Sequence, residues 1–536
     1  MDSKEILKYC IEKGLLLDKD VLKIFNDASI DSESVKFILE KIKTRTNQRI
    51  LTKEFLSKNK EYLDTVFLEL PKENQKTFET LKIKLGLNIQ ISKEVSIEVD
   101  SFKKESLQDK RPFENSSIKI ASPFSVVEKK IDVKDFVSYF RNRVSEMKKI
   151  LQEHSELKNL VSINKLSGNK QAFSIIGIVS DKRITKTKSI LFEVEDLTGK
   201  IRVLVTQNNP ELYKKAEEIS LDSVLGFRGF GSNEILFANE IVFPDCLLTE
   251  RKHSPVEEYA LFLGDLHFGS KRFLKKSFSK FIEYLDGNVP NTPEVKKIKY
   301  LFIVGDIVTG IGNYPNQEKD LLLLDLEEQF SGIATLLKKI RKDIKIIICP
   351  GNHDGVRLME PQPLFDEKYA WPLYDLENVV LINNPSMVNI GAMDGFPGFN
   401  VLIYHGFSFP YYAGNVPSLI KARAMNQPEL ILDYLLKNRH LAPTHASVQS
   451  FPSEQDFHFI KEVPDIVATG HIHKSGVIYH NNVLGICVSS WEGLTPYQEK
   501  FGNTPDHGKV PLFNLKTRAL KVLDFEEQED EHGKIF

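Results

Sequence analysis

Gly264-Asp265-Leu266-His267-Phe268-Gly269 follows directly on the apolar run Tyr259-Ala260-Leu261-Phe262-Leu263. A short apolar run bounded by glycine reads as a buried strand, which places the Asp and His at its carboxyl end. In an open α/β sheet that edge is where ligands bind. The arrangement recurs. Residues 299–304 run into Gly305-Asp306, and 344–349 into Pro350-Gly351-Asn352-His353-Asp354. Residues 400–404 run into His405-Gly406, and 465–468 lead to Gly470-His471-Ile472-His473. Five apolar strands each deliver Asp, His or Asn at one end, with Gly alongside to let the backbone turn closely.

That pattern calls for a pair of divalent cations. Carboxylate, imidazole and amide oxygen suit Mn, Fe or Zn. No Cys accompanies the set, which argues against a structural thiolate site. Alternation along a strand would put Asp265 and His267 on one face, so that one cation takes both. His471 and His473 share that spacing, and the two oxygens of Asp306 can bridge two cations. Two metals roughly 3.5–4 Å apart clamp the attacking and leaving oxygens of a displacement at phosphorus, and make hydroxide available near neutral pH.

In order, Asp-x-His, Gly-Asp, Gly-Asn-His-Asp, His-Gly and Gly-His-x-His resemble the calcineurin-like metallophosphoesterase superfamily, over roughly half the chain. The resemblance implies a ligand set. Asp265, His267, Asp306 and His473 would take the first cation, and Asp306, Asn352, His405 and His471 the second. It implies manganese first, with Mg, Fe or Zn as alternatives. His353 would stay unliganded and protonate the leaving alkoxide, with Asp354 orienting it. Phosphoprotein phosphatases of the superfamily continue the second block as Gly-Asp-x-x-Asp-Arg-Gly. Here it reads Gly305-Asp306-Ile307-Val308-Thr309-Gly310, without that Asp or Arg.

A chain of 536 residues holds about three domains. Its formal net charge of −2 carries no global basic signal, so any nucleic-acid contact must be a local patch. Cys10, Cys246, Cys349 and Cys487 are far apart and form no metal-spaced pair, which fits buried thiols in a reducing compartment. The start, Met1-Asp2-Ser3-Lys4-Glu5, has no signal-peptide pattern, and no apolar run reaches bilayer length. The expectation is a soluble cytoplasmic protein without membrane partners.

Along the chain, residues 1–86 read as a helical domain, either a docking module or a solvated bundle. Ile6, Leu7, Cys10 and Ile11 recur at helical spacing before Gly14, and Asp31 can cap a helix with Val35, Ile38 and Leu39. Another helix would hold Phe55, Leu56, Tyr62 and Leu63. Residues 87–132 read as a flexible charged linker. A connecting helix within 133–165 carries Arg141, Arg143, Lys148 and Lys149, which either touch phosphate or form a solvated face. Residues 166–248 look all-β. Short strands, Gly177 in the first, and a helix before the fourth resemble an OB-fold. Lys182, Arg183, Lys186 and Lys188 are placed in its first hairpin loop, facing a single strand or plain solvent; no exposed stacking aromatic is evident. The phosphoesterase domain spans 255–526, a β-sandwich flanked by helices, and 527–536 form an acidic tail. The fold class is multidomain α+β.

An OB-fold followed by a phosphoesterase resembles the small subunits of archaeal family D DNA polymerases, and through them the B-subunits of eukaryotic replicative polymerases. Arg439-His440-Leu441-Ala442-Pro443-Thr444 fits that family, as do Ser490-Trp491, Thr495-Pro496 and Gln498. Glu492, Gly493 and Leu494 depart from its carboxyl-terminal block. The resemblance implies a metal-dependent 3′→5′ proofreading exonuclease acting on single-stranded or mismatched DNA ends. It also implies a separate large catalytic subunit, in a heterodimer or heterotetramer that meets a sliding clamp. The rival readings are a stand-alone metallophosphatase or phosphodiesterase, and a slow scaffold subunit. Arg357 and His440 are the candidate substrate-binding residues, and Tyr404 and Phe268 candidate wedges for a terminal base.

Overall fold

The computed structural model describes residues 3–13, 15–18, 21, 35–36, 39–40, 50–51, 118–120 and 130–526. The chain divides into two compact units, Met1–Val95 with Val477–Tyr479, and Ser96–Gly476 with His480–Phe536. In the first, the helix Ser3–Glu12 buries Ile6 and Cys10, four residues apart and so on one face. Lys13 and Tyr9 both reach Glu40. Strands β1 (Leu16–Leu17) and β2 (Ile50–Leu51) pair in parallel, a contact that helical periodicity does not announce. The expectations for Gly14, Asp31, Ile38, Phe55, Leu56, Tyr62 and Leu63 lie outside the described residues.

The second unit opens with β3 (Lys119–Ile120), which pairs antiparallel with a strand of the carboxyl-terminal domain. Part of the expected linker is therefore an edge strand. The helix Val133–Leu151 buries Tyr139, Arg143, Val144, Met147 and Leu151 along one stripe. Arg143, read as a phosphate contact or a solvated charge, is neither. It is 1% exposed, its Nε lies 2.6 Å from Asp456 Oδ2, and Nη1 donates to the Pro443 carbonyl.

Strands β4 (Gln171–Ile184), β5 (Ile190–Glu195), β6 (Lys200–Val205), β7 (Val224–Gly231) and β8 (Ile235–Val242) close a barrel in the order β4-β5-β6-β8-β7. The helix Pro210–Glu217 sits between β6 and β7. Only β6 and β8 are parallel. At Gly177 a Cβ would stand 2.5 Å from the Glu195 carbonyl oxygen, so the bend that lets β4 pair with both β5 and β7 needs glycine. Alternate residues fill the barrel, among them Phe173, Phe192, Val203 and Phe227. Lys182 and Arg183 belong to β4 and not to the loop, and Lys182 Nζ is held by the carbonyls of Glu217 and Ile219 at 2.6 and 2.8 Å. Phe230 and Phe237 face each other across β7 and β8 and are 52% and 46% exposed, an aromatic pair that the sequence did not disclose.

The remaining strands are β9 (Tyr259–Leu263), β10 (Ile298–Val304), β11 (Lys345–Cys349), β12 (Val379–Leu381), β13 (Ser386–Ile390), β14 (Phe399–Tyr404), β15 (Ile466–Thr469), β16 (Gly476–His480), β17 (Val483–Cys487), β18 (Lys509–Asn514) and β19 (Leu520–Asp524). One sheet runs β12-β11-β10-β9-β18-β19, with β9 to β12 parallel. The other contains β17, β15, β14, β13 and β3 in that order. Helices Lys275–Leu285 and Leu326–Leu337 cover the first sheet through Phe278, Phe281, Phe330 and Ile333. Phe409–Asn415 and Pro428–Asn438 cover the second through Tyr412, Leu432 and Leu435. Strands buried on both faces read as continuous apolar runs, which is why the five were legible. Among the described residues no helix is long and apolar enough to cross a membrane.

Candidate metal centre

All five signature blocks lie just beyond strand ends: β9, β10 and β11 in one sheet, β14 and β15 in the other. The strands stop at Leu263 and Thr469, before Asp265 and His471. Strand alternation is therefore not what aligns the Asp-x-His and His-x-His pairs. Asp265, His267, Asp306, His471 and His473 all adopt left-handed backbone, with φ of 49°, 46°, 48°, 72° and 60°. Such conformations cost about 1–3 kcal/mol each outside glycine and gather where function demands a particular aim.

The side chains converge. His267 Nε2 lies 3.0 Å from His473 Nε2 and 3.9 Å from Asp306 Oδ2, and His473 Nε2 lies 3.7 Å from Asp265 Oδ1. His405 Nε2 lies 3.2 Å from Asp306 Oδ2 and 3.1 Å from Asn352 Oδ1. Ligand atoms of Asp265, His267 and His473 fall within 4.8 Å of one another, as do those of Asp306, His405 and His471. A third such group joins His267, Asp306 and His353, so Asp306 borders both sides of the cluster.

The surrounding structure fits cations. His405 Nδ1 donates to the Val304 carbonyl at 3.0 Å, which aims Nε2 inward. Its backbone N–H donates to Asn384 Oδ1. The His471 N–H donates to the Asp265 carboxylate and the His353 N–H to Asp306 Oδ1 at 2.8 Å. Glycine is obligatory beside these groups. A Cβ on Gly351 would stand 2.2 Å from Asp306 Oδ1, and one on Gly305 2.4 Å from His405 Nδ1. Burial opposes charge on His405, yet Asp306 and Asp265 hold its pKa up at about 10. Burial pushes the Asp265 carboxyl well up. For Asp306 burial acts the same way, but His405 and His353 outweigh it and hold that carboxyl well below the usual range. With no ion bound, His405 balances the Asp306 carboxylate, a part that a cation would take over.

Several expected roles change. Asp354 does not orient His353; its carboxylate accepts from the backbone N–H groups of Val308 and Gly351, at 2.9 and 2.7 Å, and fixes the loop. His353 is held instead by the Thr309 carbonyl, 2.9 Å from Nδ1, with Asn313 Nδ2 at 3.2 Å. Arg357 is engaged by its own loop. Its guanidinium donates to the carbonyls of Met359 and Pro361 and stacks on Phe451 at 4.0 Å, so it ties down its own loop. His440 is wholly buried between Asp456 Oδ2, at 2.8 Å, and the Ala442 N–H, and burial draws its pKa down to about 3. Tyr404 is buried against Glu360, and Phe268 packs on Phe273, so neither is a wedge.

The sequence reading assigned no role to Gln498, whose Nε2 lies 2.8 Å from His473 Nδ1 while its Oε1 accepts from the Thr495 N–H. The Thr495-x-x-Gln498 spacing announces a helix start, but not a partner 25 residues away. Gln498→Leu is expected to weaken divalent-metal binding several-fold, because the His473 ring loses the amide that orients it. Isothermal titration with manganese checks this; unchanged affinity would mean the contact is incidental.

A family model for calcineurin-like phosphoesterases matches residues 260–475, the stretch holding all five blocks. The DNA polymerase II small subunit of Pyrococcus furiosus is 38% identical over 74% of this chain and 65% of its own length. That of Methanothermobacter thermautotrophicus is 37% identical over 74% of this chain and 80% of its own. The chain thus spans under two thirds of the Pyrococcus relative but most of the second. Among solved structures, an archaeal phosphodiesterase overlaps 49% of this chain and 98% of its own at 12% identity, with a TM-score of 0.25. That overlap is too loose to bear on function. Identity above 30% across most of the Methanothermobacter relative places the chain in the family of archaeal DNA polymerase II small subunits, with a calcineurin-like phosphoesterase domain.

Proposed function

We propose that this chain is the proofreading subunit of a two-subunit DNA polymerase, removing nucleotides from mismatched or single-stranded 3′ ends. The observation that carries the reading is the intact donor set: Asp265, His267, Asp306, Asn352, His405, His471 and His473 converge, and His353 borders them. A subunit kept only as a scaffold has no need of seven mutually supporting donors. Asp265, His267, Asp306 and His473 would hold one cation, and Asp306, Asn352, His405 and His471 the other, with manganese the preferred ion. When bound, such a pair supplies an activated water and neutralises charge on the phosphodiester.

The chain's own residues do the rest. His353 in its imidazolium form, with Nδ1–H given to Thr309, would pass the proton on Nε2 to the departing 3′ oxygen and be left neutral, releasing a 5′-nucleotide. Asp354 and Gly351 keep that loop close to Asp306. Thr309 and Gly310 stand where phosphoprotein phosphatases carry that Asp and Arg, which weighs against that reading. We read the closed barrel, with its helix between β6 and β7, as an OB-fold. Synthesis is assigned to a large partner subunit, on the strength of the name that the relatives bear.

The test is a 5′-labelled primer with a mismatched 3′ end, incubated with manganese or with chelator. Stepwise shortening from the 3′ end, lost on chelation, is the expected result. His353→Ala is expected to be about 10²–10⁴-fold slower with unchanged metal content. Loss of metal from that variant would remove the proton-donor role. No shortening, even with the large subunit added, would favour a scaffold.

A further inference from the structure

We propose that the ring of Tyr314 is the stacking platform for the 3′-terminal base of the strand being trimmed. The inference rests on the nuclease reading and specifies how its substrate is gripped. The loop between Gly310 and Leu324 leaves the second signature block and carries Ile311, Tyr314, Leu322 and Leu324 at 46%, 43%, 69% and 65% exposure. Large apolar side chains gathered in the open mark contact surfaces.

The loop is held rigid by buried amides. Gln317, 1% exposed, accepts from the Asn313 N–H at 2.9 Å and donates to the Thr309 carbonyl at 3.0 Å. Gln329, fully buried, accepts from the Gly310 N–H and donates to the Leu323 carbonyl, both at 2.9 Å. The Leu322 N–H donates to the Gly269 carbonyl at 2.7 Å, which joins the loop to the segment bearing Asp265 and His267. Two buried side-chain amides are thus committed to the shape of an exposed loop.

Tyr314 is the aromatic residue of this set, and its ring is fixed. Its hydroxyl donates to Asp320 Oδ2 at 3.2 Å, and Asp320 Oδ1 pairs with Arg272 at 2.6 Å. The next residue back, Asn313, contacts the ring of His353. A terminal nucleotide whose 5′-side phosphodiester lies beside His353 therefore finds an immobilised aromatic face at hand. The cations of this rim are engaged elsewhere: Arg272 with Asp320, and Lys271 Nζ with the Lys319 carbonyl. The rim offers a face for a base and not a clamp for phosphate. Stacking tolerates any base, as trimming arbitrary sequence requires.

The full-length chain is tested with DNA carrying 2-aminopurine at the 3′ end, with calcium replacing manganese to hold back cleavage. Wild type and Tyr314→Phe are expected to quench the fluorophore, and Tyr314→Ala to leave it bright. With manganese, wild type should trim a base-bearing 3′ end roughly 10- to 100-fold faster than an abasic one. Tyr314→Phe should keep that preference and Tyr314→Ala lose it. Quenching and preference that survive in Tyr314→Ala would overturn this inference while leaving the nuclease reading in place. Failure of wild type to trim either strand, even with the large subunit added, would sink the nuclease reading and this inference with it.

Discussion

Asp306→Ala is expected to abolish metal-dependent nucleotide release, by about 10⁴-fold or more, and to strip both cations from the chain. Asp306 belongs to two of the three donor groups, and its Oδ1 also anchors the His353 N–H. Each cation supplies several kcal/mol of transition-state stabilisation. Tenfold in rate is about 1.4 kcal/mol, so losing both exceeds about 10⁴. The site would also lose the carboxylate that balances His405, leaving imidazoles crowded around a deficit of negative charge. Metal content by atomic emission and release from labelled DNA check the two halves separately. A variant that kept both cations and lost only rate would show that Asp306 acts on the substrate and is no bridge.

Arg143→Ala is expected to destabilise the second unit by about 3–5 kcal/mol, the cost of leaving a buried charge without its partner. Asp456 is wholly enclosed and accepts from Arg143 Nε, Tyr139 Oη, the His458 N–H and His440 Nε2. Burial alone would raise its carboxyl pKa, but Arg143 and His440 hold it well below the usual range. The guanidinium also bonds the Pro443 carbonyl and the Tyr139 hydroxyl, so lysine cannot replace it. This network fastens the connecting helix to the phosphoesterase domain. Urea unfolding gives the loss directly, and a change under about 1 kcal/mol would mean that water reaches Asp456. Arg143→Met combined with Asp456→Asn is expected to recover part of the loss, because neither side then leaves a bare charge.

What could be read from the chain was local. An apolar run, a glycine and a donor residue occupy adjacent positions, so β9, β10, β11, β14 and β15 and the seven donors were visible together. The roles that shifted depend on contacts distant in sequence. Asp354 bonds backbone 46 residues away, His440 is enclosed by Asp456 and the helix bearing Arg143, and Gln498 meets His473 from beyond β17. In the Asp-x-His block it is left-handed turns, not strand pleat, that aim the pair. No sequence period encodes such turns in Asp or His. The Phe230–Phe237 pair escaped because barrel exposure depends on which strands neighbour which.

The most direct test of the two-cation centre is anomalous scattering from manganese-soaked crystals of the full chain. Two peaks are expected, one in contact with Asp265, His267 and His473, the other with Asn352, His405 and His471, both touching Asp306. A single peak, or none at Asp306, would contradict it.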